Sequence, residues 1–139
     1  MAAVVKVVKT HFLSVNGVDL SAQCKEFTVT YEAEELNKNA SGDVTKISHP
    51  GLKNWRITGK LFQKFGAGGV DATLFPLVGS ETPVAVETRL DSAAASAANP
   101  KLTGTGFLMK YPPFTAQHGQ IAMTDIEIAA ASDLVRAEA

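Results

Sequence analysis

The feature that most restricts the fold of this chain is an alternation of apolar and polar residues with a period of two. It recurs in Phe27–Tyr31, Trp55–Leu61, Val84–Leu90 and Gly104–Tyr111. Because successive side chains of a β-strand point to opposite faces, this period predicts half-buried strands. An Asn16-Gly17 pair ahead of a further apolar segment favours a tight hairpin turn, since both residue types tolerate positive φ. The chain is therefore predicted to be mainly β.

The last predicted strand, Ile121–Ile128, separates apolar from acidic side chains. Ile126 and Ile128 face one way, and Asp125 and Glu127 face the other. General acid–base catalysis needs two acids that converge in a shaped cleft with displaced pKa values, and nothing in this pattern indicates such a cleft. The two carboxylates are predicted to face solvent or the lining of a channel.

Two segments depart from the strand period. Val70–Gly79 has apolar residues three and four apart, which predicts a short helix that Asp71 caps and Gly79 ends. Pro76 within it indicates a brief or kinked element. Glu32–Pro50 mixes charged residues with Asn, Ser and Gly, which predicts a long loop. Loops beyond about 12–15 residues are usually functional or disordered, so this segment is the first candidate for a contact surface.

The length of 139 residues is that of one domain. Six or seven strands separated by turns, together with one helix, predict a single antiparallel β-sandwich or barrel over residues 1–139, with one short flanking α-helix. No stretch approaches the ~20 apolar residues that span a bilayer, so we expect a soluble chain without membrane contact, made in the cytoplasm of a bacterial cell.

Charge and chemistry-bearing residues argue against several kinds of site. With 13 basic and 14 acidic residues and no basic run, the chain lacks the stripe that grips nucleic acid. One cysteine, Cys24, allows neither a disulfide nor a cysteine metal site. The three histidines lack metal-ligand spacing, and Gly66–Gly69 lacks the ending of a phosphate loop. We therefore expect no enzyme activity, no metal and no cofactor.

The order of features along the chain resembles that of the major tail (tail tube) proteins of long-tailed bacteriophages. The resemblance extends from Phe12 to Arg136 and depends on the sequence of motifs more than on any one of them. The motifs, in order, are Val18–Ser21, the strand Phe27–Tyr31, Gly42-Asp43, Pro50–Leu52, the W-x-I-x-G stretch Trp55–Gly59, the V-D-A-x-L segment Val70–Leu77, Asn99-Pro100 before L-T-G-x-G-F-L, and a final strand after Gly119.

The resemblance implies a structural virion protein that works by self-assembly. Six subunits would form a ring whose inner strands line a channel, and stacked rings would form the tube through which DNA passes to the host without specific binding. The implied partners are further copies of the chain, a tape-measure protein, and tail terminator or tip proteins. A tail terminator or neck protein and a capsid decoration protein are the alternative functions.

The resemblance also implies where the copies meet. A long loop at 32–50 and an N-terminal arm at 1–10 are expected to bridge rings. Strand alternation alone makes Glu87, Asp125 and Glu127 the candidates to face the lumen. The candidate inter-ring residues are Val4, Val5, Val7, Glu34, Glu35, Leu36, Lys38, Asp43 and Lys46.

Overall fold

The computed structural model describes residue 5 and residues 7–138 of the chain, so the candidate contact residue Val4 lies outside the described residues. Eight strands, one α-helix and one 3-10 helix account for its regular structure. In chain order these are β1 (Phe12–Val15), β2 (Val18–Asp19), β3 (Cys24–Asn37), β4 (Ser48–Phe62), α1 (Val70–Leu74), the 3-10 helix Phe75–Leu77, β5 (Val84–Arg89), β6 (Lys101–Lys110), β7 (Met123–Ala130) and β8 (Val135–Ala137).

All eight strands belong to one antiparallel sheet in the order β2-β1-β5-β6-β7-β4-β3, and β8 pairs with β6 beside β7. The prediction of a mainly β fold with one short helix is confirmed. The sheet is not closed, because β2 stands at one end of this order and β3 at the other. The predicted hairpin turn joins β1 to β2, with Asn16 at φ 53° and Gly17 at φ 80°.

The core covers one face of this sheet. On β4 and β7 the buried residues alternate along each strand, as the sequence period predicts, and Ile57 lies opposite Ile128. Leu13 and Val15 of β1 and Val84 and Val86 of β5 extend the same apolar layer. Val70 and Leu74 of α1 are fully buried against it, so the short helix covers part of the core.

Trp55 fixes the packing of β4 against β6. Its indole Nε1 donates to the carbonyl of Ser132 at 2.7 Å, so the one polar atom of a buried ring is paired. A Cβ on Gly104 would lie 2.9 Å from the ring, and a Cβ on Gly106 would lie 2.5 Å from the carbonyl of Ala129. The two glycines of β6 therefore leave the room that the indole and the neighbouring strand need.

Two of the sequence expectations about local structure are wrong in detail. The α-helix ends at Leu74 and continues as a 3-10 turn, because Pro76 has no N–H for an α-helical bond. Its N-cap is Gly69, and Asp71 lies inside the first turn without capping it.

The segment predicted as the loop 32–50 is strand at both of its ends, over about half of its length. β3 continues to Asn37 and β4 begins at Ser48, which leaves only residues 38–47 outside the two strands. The error has a physical reason, because both faces of this hairpin are exposed and no apolar alternation marks its strands.

Candidate assembly surfaces

The face of the sheet opposite the core is polar, and it contains two of the predicted lumen residues. Asp125 of β7 lies opposite Lys60 of β4, and Glu127 lies opposite Thr58. Thr58 in turn lies opposite Thr28 of β3. These side chains share one face because their strand positions alternate with the buried ones. The sequence placed both acids correctly opposite the core, and the structure adds the residues beside them.

Opposite charges alternate across this polar face. Arg56 forms an ion pair with Glu127, and the Lys60 Nζ lies 3.9 Å from Glu26 Oε1. Lys110 of β6 is opposite Glu127 on its other side. Over the body of the sheet, three basic residues therefore face three acidic ones. Exposed pairs contribute only about 0–1 kcal/mol each to stability, so their main effect is to leave this surface close to neutral.

Glu87 lies on the same face of the sheet but two strands away from the acids of β7. It is opposite Thr103 of β6. Phe107, which lies on the same face of β6 as Thr103, is opposite Ala129 of β7. The Arg89 Nη2 lies 3.7 Å from its carboxylate. The structure therefore places all three predicted lumen residues on one face, with Glu87 apart from Asp125 and Glu127.

The outer halves of β3 and β4 form a hairpin that extends beyond the core. We call residues 32–54 the hairpin arm. Every residue from Glu32 to Pro50 is exposed, and burial resumes fully at Trp55. Strand pairing nevertheless continues to the register pair Asn37 and Ser48, with one bulge between Ala33 and Glu35. The arm is therefore held by its own ladder and not by packing.

The end of the arm, residues 38–47, is ordered by hydrogen bonds around one side chain. The Asn39 Nδ2 donates to the carbonyl of Thr45 at 2.7 Å, and its Oδ1 accepts from the amide of Ile47 at 2.8 Å. The amide of Ala40 donates to the carboxylate of Asp43 at 2.7 Å, beside Gly42 at φ 97°. These hydrogen bonds define the shape of the tip, whose residues are all exposed.

The predicted inter-ring residues are mostly brought together in this arm. Glu35 accepts a hydrogen bond of 2.6 Å from the hydroxyl of Ser48 across the hairpin. Leu36 is 42% exposed although it is apolar. Val5 and Val7 of the N-terminal arm are exposed as well, far along the chain from the hairpin arm. The remaining predicted contact residues are all exposed and lie in the arm: Glu34, Lys38, Asp43 and Lys46.

A second exposed apolar surface lies beyond the other ends of the same strands, and it was not predicted from the sequence. Phe65 and Phe114 contact each other with ring centroids 6.0 Å apart, and they are 55% and 80% exposed. We call this pair the aromatic platform. Neither phenylalanine lies in a strand, so neither shows a period, and the only signal in the sequence is a large aromatic residue within a turn-rich segment.

A polar network holds the segment that carries Phe114. The Tyr111 hydroxyl donates to Asp71 Oδ1 at 2.7 Å and accepts from the Gln63 Nε2 at 2.9 Å. Gln63 also donates to the carbonyl of Pro113, and the Thr124 hydroxyl donates to that of Pro112. Burial and the hydrogen bond to Asp71 raise the pKa of Tyr111 to about 12. The network therefore contains a neutral phenol at neutral pH.

The other chemistry-bearing residues have structural surroundings. Burial raises the pKa of the Cys24 thiol to about 11, which makes this cysteine a poor nucleophile. The His11 ring is hydrogen bonded to the carbonyl of Cys24 at 3.0 Å and packs edge-on against Phe27. Across residue 5 and residues 7–138, no group of His, Cys, Asp and Glu is arranged to hold a metal ion. In the same residues, no helix has the length and apolar character to cross a membrane.

Comparison with solved structures finds this fold in the tails of phage-like particles. A chain from the virion of a native gene transfer agent particle has a TM-score of 0.73 at 11% identity, covering 95% of this chain and 98% of that one. A chain from the tail of an empty gene transfer agent particle, determined with C6 symmetry, has a TM-score of 0.67 at 11% identity, covering 91% and 92%. A chain from the sheath/tube terminator structure of the extracellular contractile injection system PVC has a TM-score of 0.68 at 14% identity, covering 98% and 99%.

No protein-family model and no curated protein matches the sequence. The likeness is therefore one of structure, at 11% to 14% sequence identity. It extends over nearly the full length of both chains in each case. The chain has the fold of tail proteins of phage-like particles. More particularly, it shares that fold with chains of gene transfer agent and contractile injection system tails, as the resemblance to tail tube proteins led us to expect.

Proposed function

We propose that this chain is a structural tail protein that forms hexameric rings, and that the rings stack into a tube. The observation that supports this most strongly is the near end-to-end likeness to chains of gene transfer agent particles, one of them from a tail with C6 symmetry. The role requires no catalytic group, and it would place the protein in the tail of a virion after synthesis in the host cytoplasm.

The free edge of β3 supports ring formation. Within the described part of the chain, β3 pairs only with β4, and it runs over 14 residues. A free edge of that length exposes a row of unpaired backbone groups, which is an aggregation hazard unless another strand covers it. A neighbouring copy would pair with this edge, and repetition of the same heterologous contact closes a ring.

The polar face supports a channel lining. Its three basic and three acidic residues balance over the body of the sheet, so a passing polyanion meets little net attraction. Binding to DNA phosphates requires uncompensated Lys and Arg, and here Arg56 and Lys60 are already partnered by acids. We therefore assign Asp125 and Glu127 to the lumen, with Glu87 at its margin, and infer that DNA passes without specific binding.

The hairpin arm and the N-terminal arm would then connect one ring to the next. Further partners in this role are a tape-measure protein inside the growing tube and terminator or tip proteins at its ends. An arm that extends beyond the core suits a subunit that must reach another ring.

A tail terminator is the second candidate, and one observation favours it. The likeness to a chain of the sheath/tube terminator structure covers 98% of this chain. A terminator would form a ring but would not propagate a tube. The two functions therefore differ in whether rings stack.

Native mass spectrometry of the purified chain tests the ring. We expect species with the mass of six copies and of multiples of six copies as the concentration rises. Six copies alone at every concentration would favour the terminator, and a monomer throughout would contradict both functions. A capsid decoration protein would fit that last result.

A further inference from the structure

The hairpin arm exposes apolar side chains that no residue among those the structure describes covers. Val44 is fully exposed, Leu52 is 80% exposed, and Leu36 and Ile47 are each about two-fifths exposed. The tip is nevertheless shaped by its own hydrogen bonds around Asn39. Apolar groups displayed on a preformed structure are typical of a contact surface, because burying them stabilises a complex at little ordering cost.

The aromatic platform lies at the opposite end of the strands that form the arm. β4 begins at Ser48 beside the tip and ends at Phe62, three residues before Phe65. β7 starts at Met123 opposite Phe62, and the segment with Phe114 precedes it. At about 3.3 Å per residue, β4 separates the two surfaces by up to roughly 45 Å along the strand. The arm of one chain therefore cannot cover the platform of the same chain.

The backbone before Phe114 is held in place by hydrogen bonds. Tyr111, which is 8% exposed, anchors the segment before Phe114 through Asp71 and Gln63. Thr124 and Gln63 bind the two proline carbonyls that follow Tyr111. Asp71 of α1, Thr124 of β7 and Gln63 thus hold the backbone that leads into Phe114, and Phe65 follows Gln63 by two residues. An ordered backbone lowers the entropy cost when an exposed ring takes up an apolar side chain.

The outgoing strand of the arm and the platform segments carry opposite charges, whereas the tip at 38–47 carries Lys38 and Lys46 against Asp43. The platform segments, residues 62–69 and 110–122, carry Lys64 and Lys110 and no acidic residue. The outgoing strand of the arm carries Glu32, Glu34 and Glu35, and residues 32–37 contain no basic residue. This arrangement favours contact between the platform and the outgoing strand and disfavours contact between two arms through that strand, while the tip contributes its exposed apolar side chains.

We propose that the aromatic platform of one copy receives the arm tip of the next copy along the tube. Two different surfaces at opposite ends of one molecule form a heterologous contact that does not close, and this kind of contact produces a filament. The inference rests on the proposed tube function and adds the receiving surface, Phe65 and Phe114, to the arm already assigned to ring bridging.

A disulfide between copies tests the contact directly. The variant Thr45→Cys/Thr115→Cys places one thiol on the exposed tip and one beside Phe114, and it leaves the apolar groups of both surfaces intact. Under mild oxidation of assembled protein, we expect a ladder of disulfide-linked multimers on a non-reducing gel. Each single variant should give dimers at most. Cys24 should not interfere, because it is buried with a pKa of about 11.

A matched control distinguishes this geometry from contact between like ends. Ala97 is exposed in the turn before β6, at the end of that strand away from Lys110. Thr45→Cys/Ala97→Cys should therefore give no ladder. A ladder from this pair together with none from Thr45→Cys/Thr115→Cys would overturn the proposal.

The same samples separate the inference from the function it rests on. Wild-type tubes under the electron microscope with no ladder from the tip–platform pair would refute the platform and leave the tube function intact. A ladder without any six-fold ring would support the contact and refute the ring. As a second variant, Phe65→Ser/Phe114→Ser should retain six-copy rings while raising the concentration needed for stacking at least tenfold, and unchanged stacking would contradict the proposal.

Discussion

Single residues decide how the strands of this sheet can approach one another. The added Cβ of an alanine at Gly106 would lie 2.5 Å from the carbonyl of Ala129 and 2.7 Å from Ile128 Cγ2. The sequence shows a glycine within an alternating strand at this position, but it does not reveal the indole of Trp55, which a distant strand supplies. Alternation alone aligns Phe107 with Met109, whereas the structure buries Leu108 and leaves Met109 62% exposed.

Gly106→Ala should lower the free energy of unfolding by about 1–3 kcal/mol, because backbone on the next strand must move to admit the methyl group. Gly59→Ala is the matched control, since its nearest contact would be an ordinary 3.5 Å. We expect Gly59→Ala to be neutral or stabilising by up to about 1 kcal/mol. Urea unfolding of both variants measures the difference, and equal stabilities would contradict this account of the packing.

Tyr111 couples the aromatic platform to pH. Its pKa in the folded chain is about 12, above the ordinary value of 10.0 that applies to the unfolded chain. Below pH 10 both states keep the proton and the stability is complete. Above pH 10 the unfolded chain loses the proton first, so stability falls as the pH rises towards 12.

We expect Tyr111→Phe to lower the free energy of unfolding at pH 7 by about 1–3 kcal/mol, because Asp71 and Gln63 lose a hydrogen-bond partner. The variant should also lose part of the decline in stability between pH 10 and pH 12. Chemical denaturation at a series of pH values measures both effects. An unchanged decline in the variant would show that Tyr111 does not titrate in this range.

At the scale of elements, sequence reasoning succeeded where one face of a strand is buried and failed where neither is. The strand Val84–Arg89 and the inward-facing Ile126 and Ile128 follow from period-two alternation. The outer parts of β3 and β4 carry no such period, because no core lies behind them. Their pairing depends on cross-strand bonds such as Ser48 to Glu35, which only the fold brings together.

Because the arm does not contribute to the core, its tip and the body should respond separately to mutation. Replacing residues 37–44 with a Gly-Ser sequence of equal length should leave the melting temperature of the unassembled chain within a few degrees. The same variant should fail to stack, since the bonds around Asn39 and the exposed Val44 are lost. Tubes of normal length from this variant would rule out the tip as a contact between rings.

At the scale of the whole molecule, an open sheet in a monomer still has backbone hydrogen-bonding groups at its edges that a strand of another copy could pair with. The order β2-β1-β5-β6-β7-β4-β3 buries the apolar face within the chain, and among residue 5 and residues 7–138 no strand pairs with the outer edge of β3. The mainly β class of fold could be predicted from the sequence because period-two alternation marks the half-buried strands. The residues that meet between copies could not, because they come together only through contacts between elements.

The lumen assignment predicts a difference in chemical access. A cysteine at Asp125 should react with a small maleimide in tubes but be shielded from a maleimide on a large polymer, because the polymer cannot enter a narrow channel. In unassembled protein, both reagents should react with Asp125→Cys equally, which provides the control. Fast labelling of assembled tubes by the large reagent would show that β7 does not line the channel.

Assembly itself is the central claim, and electron microscopy of negatively stained wild-type protein tests it most directly. Light scattering across a concentration series, recorded on the same samples, would report the onset of polymerisation. We predict tubes, or six-fold rings that stack as concentration rises, each with a central channel. A strictly monomeric protein at high concentration, with no ring in any field, would contradict the claim that this fold works by assembling with copies of itself.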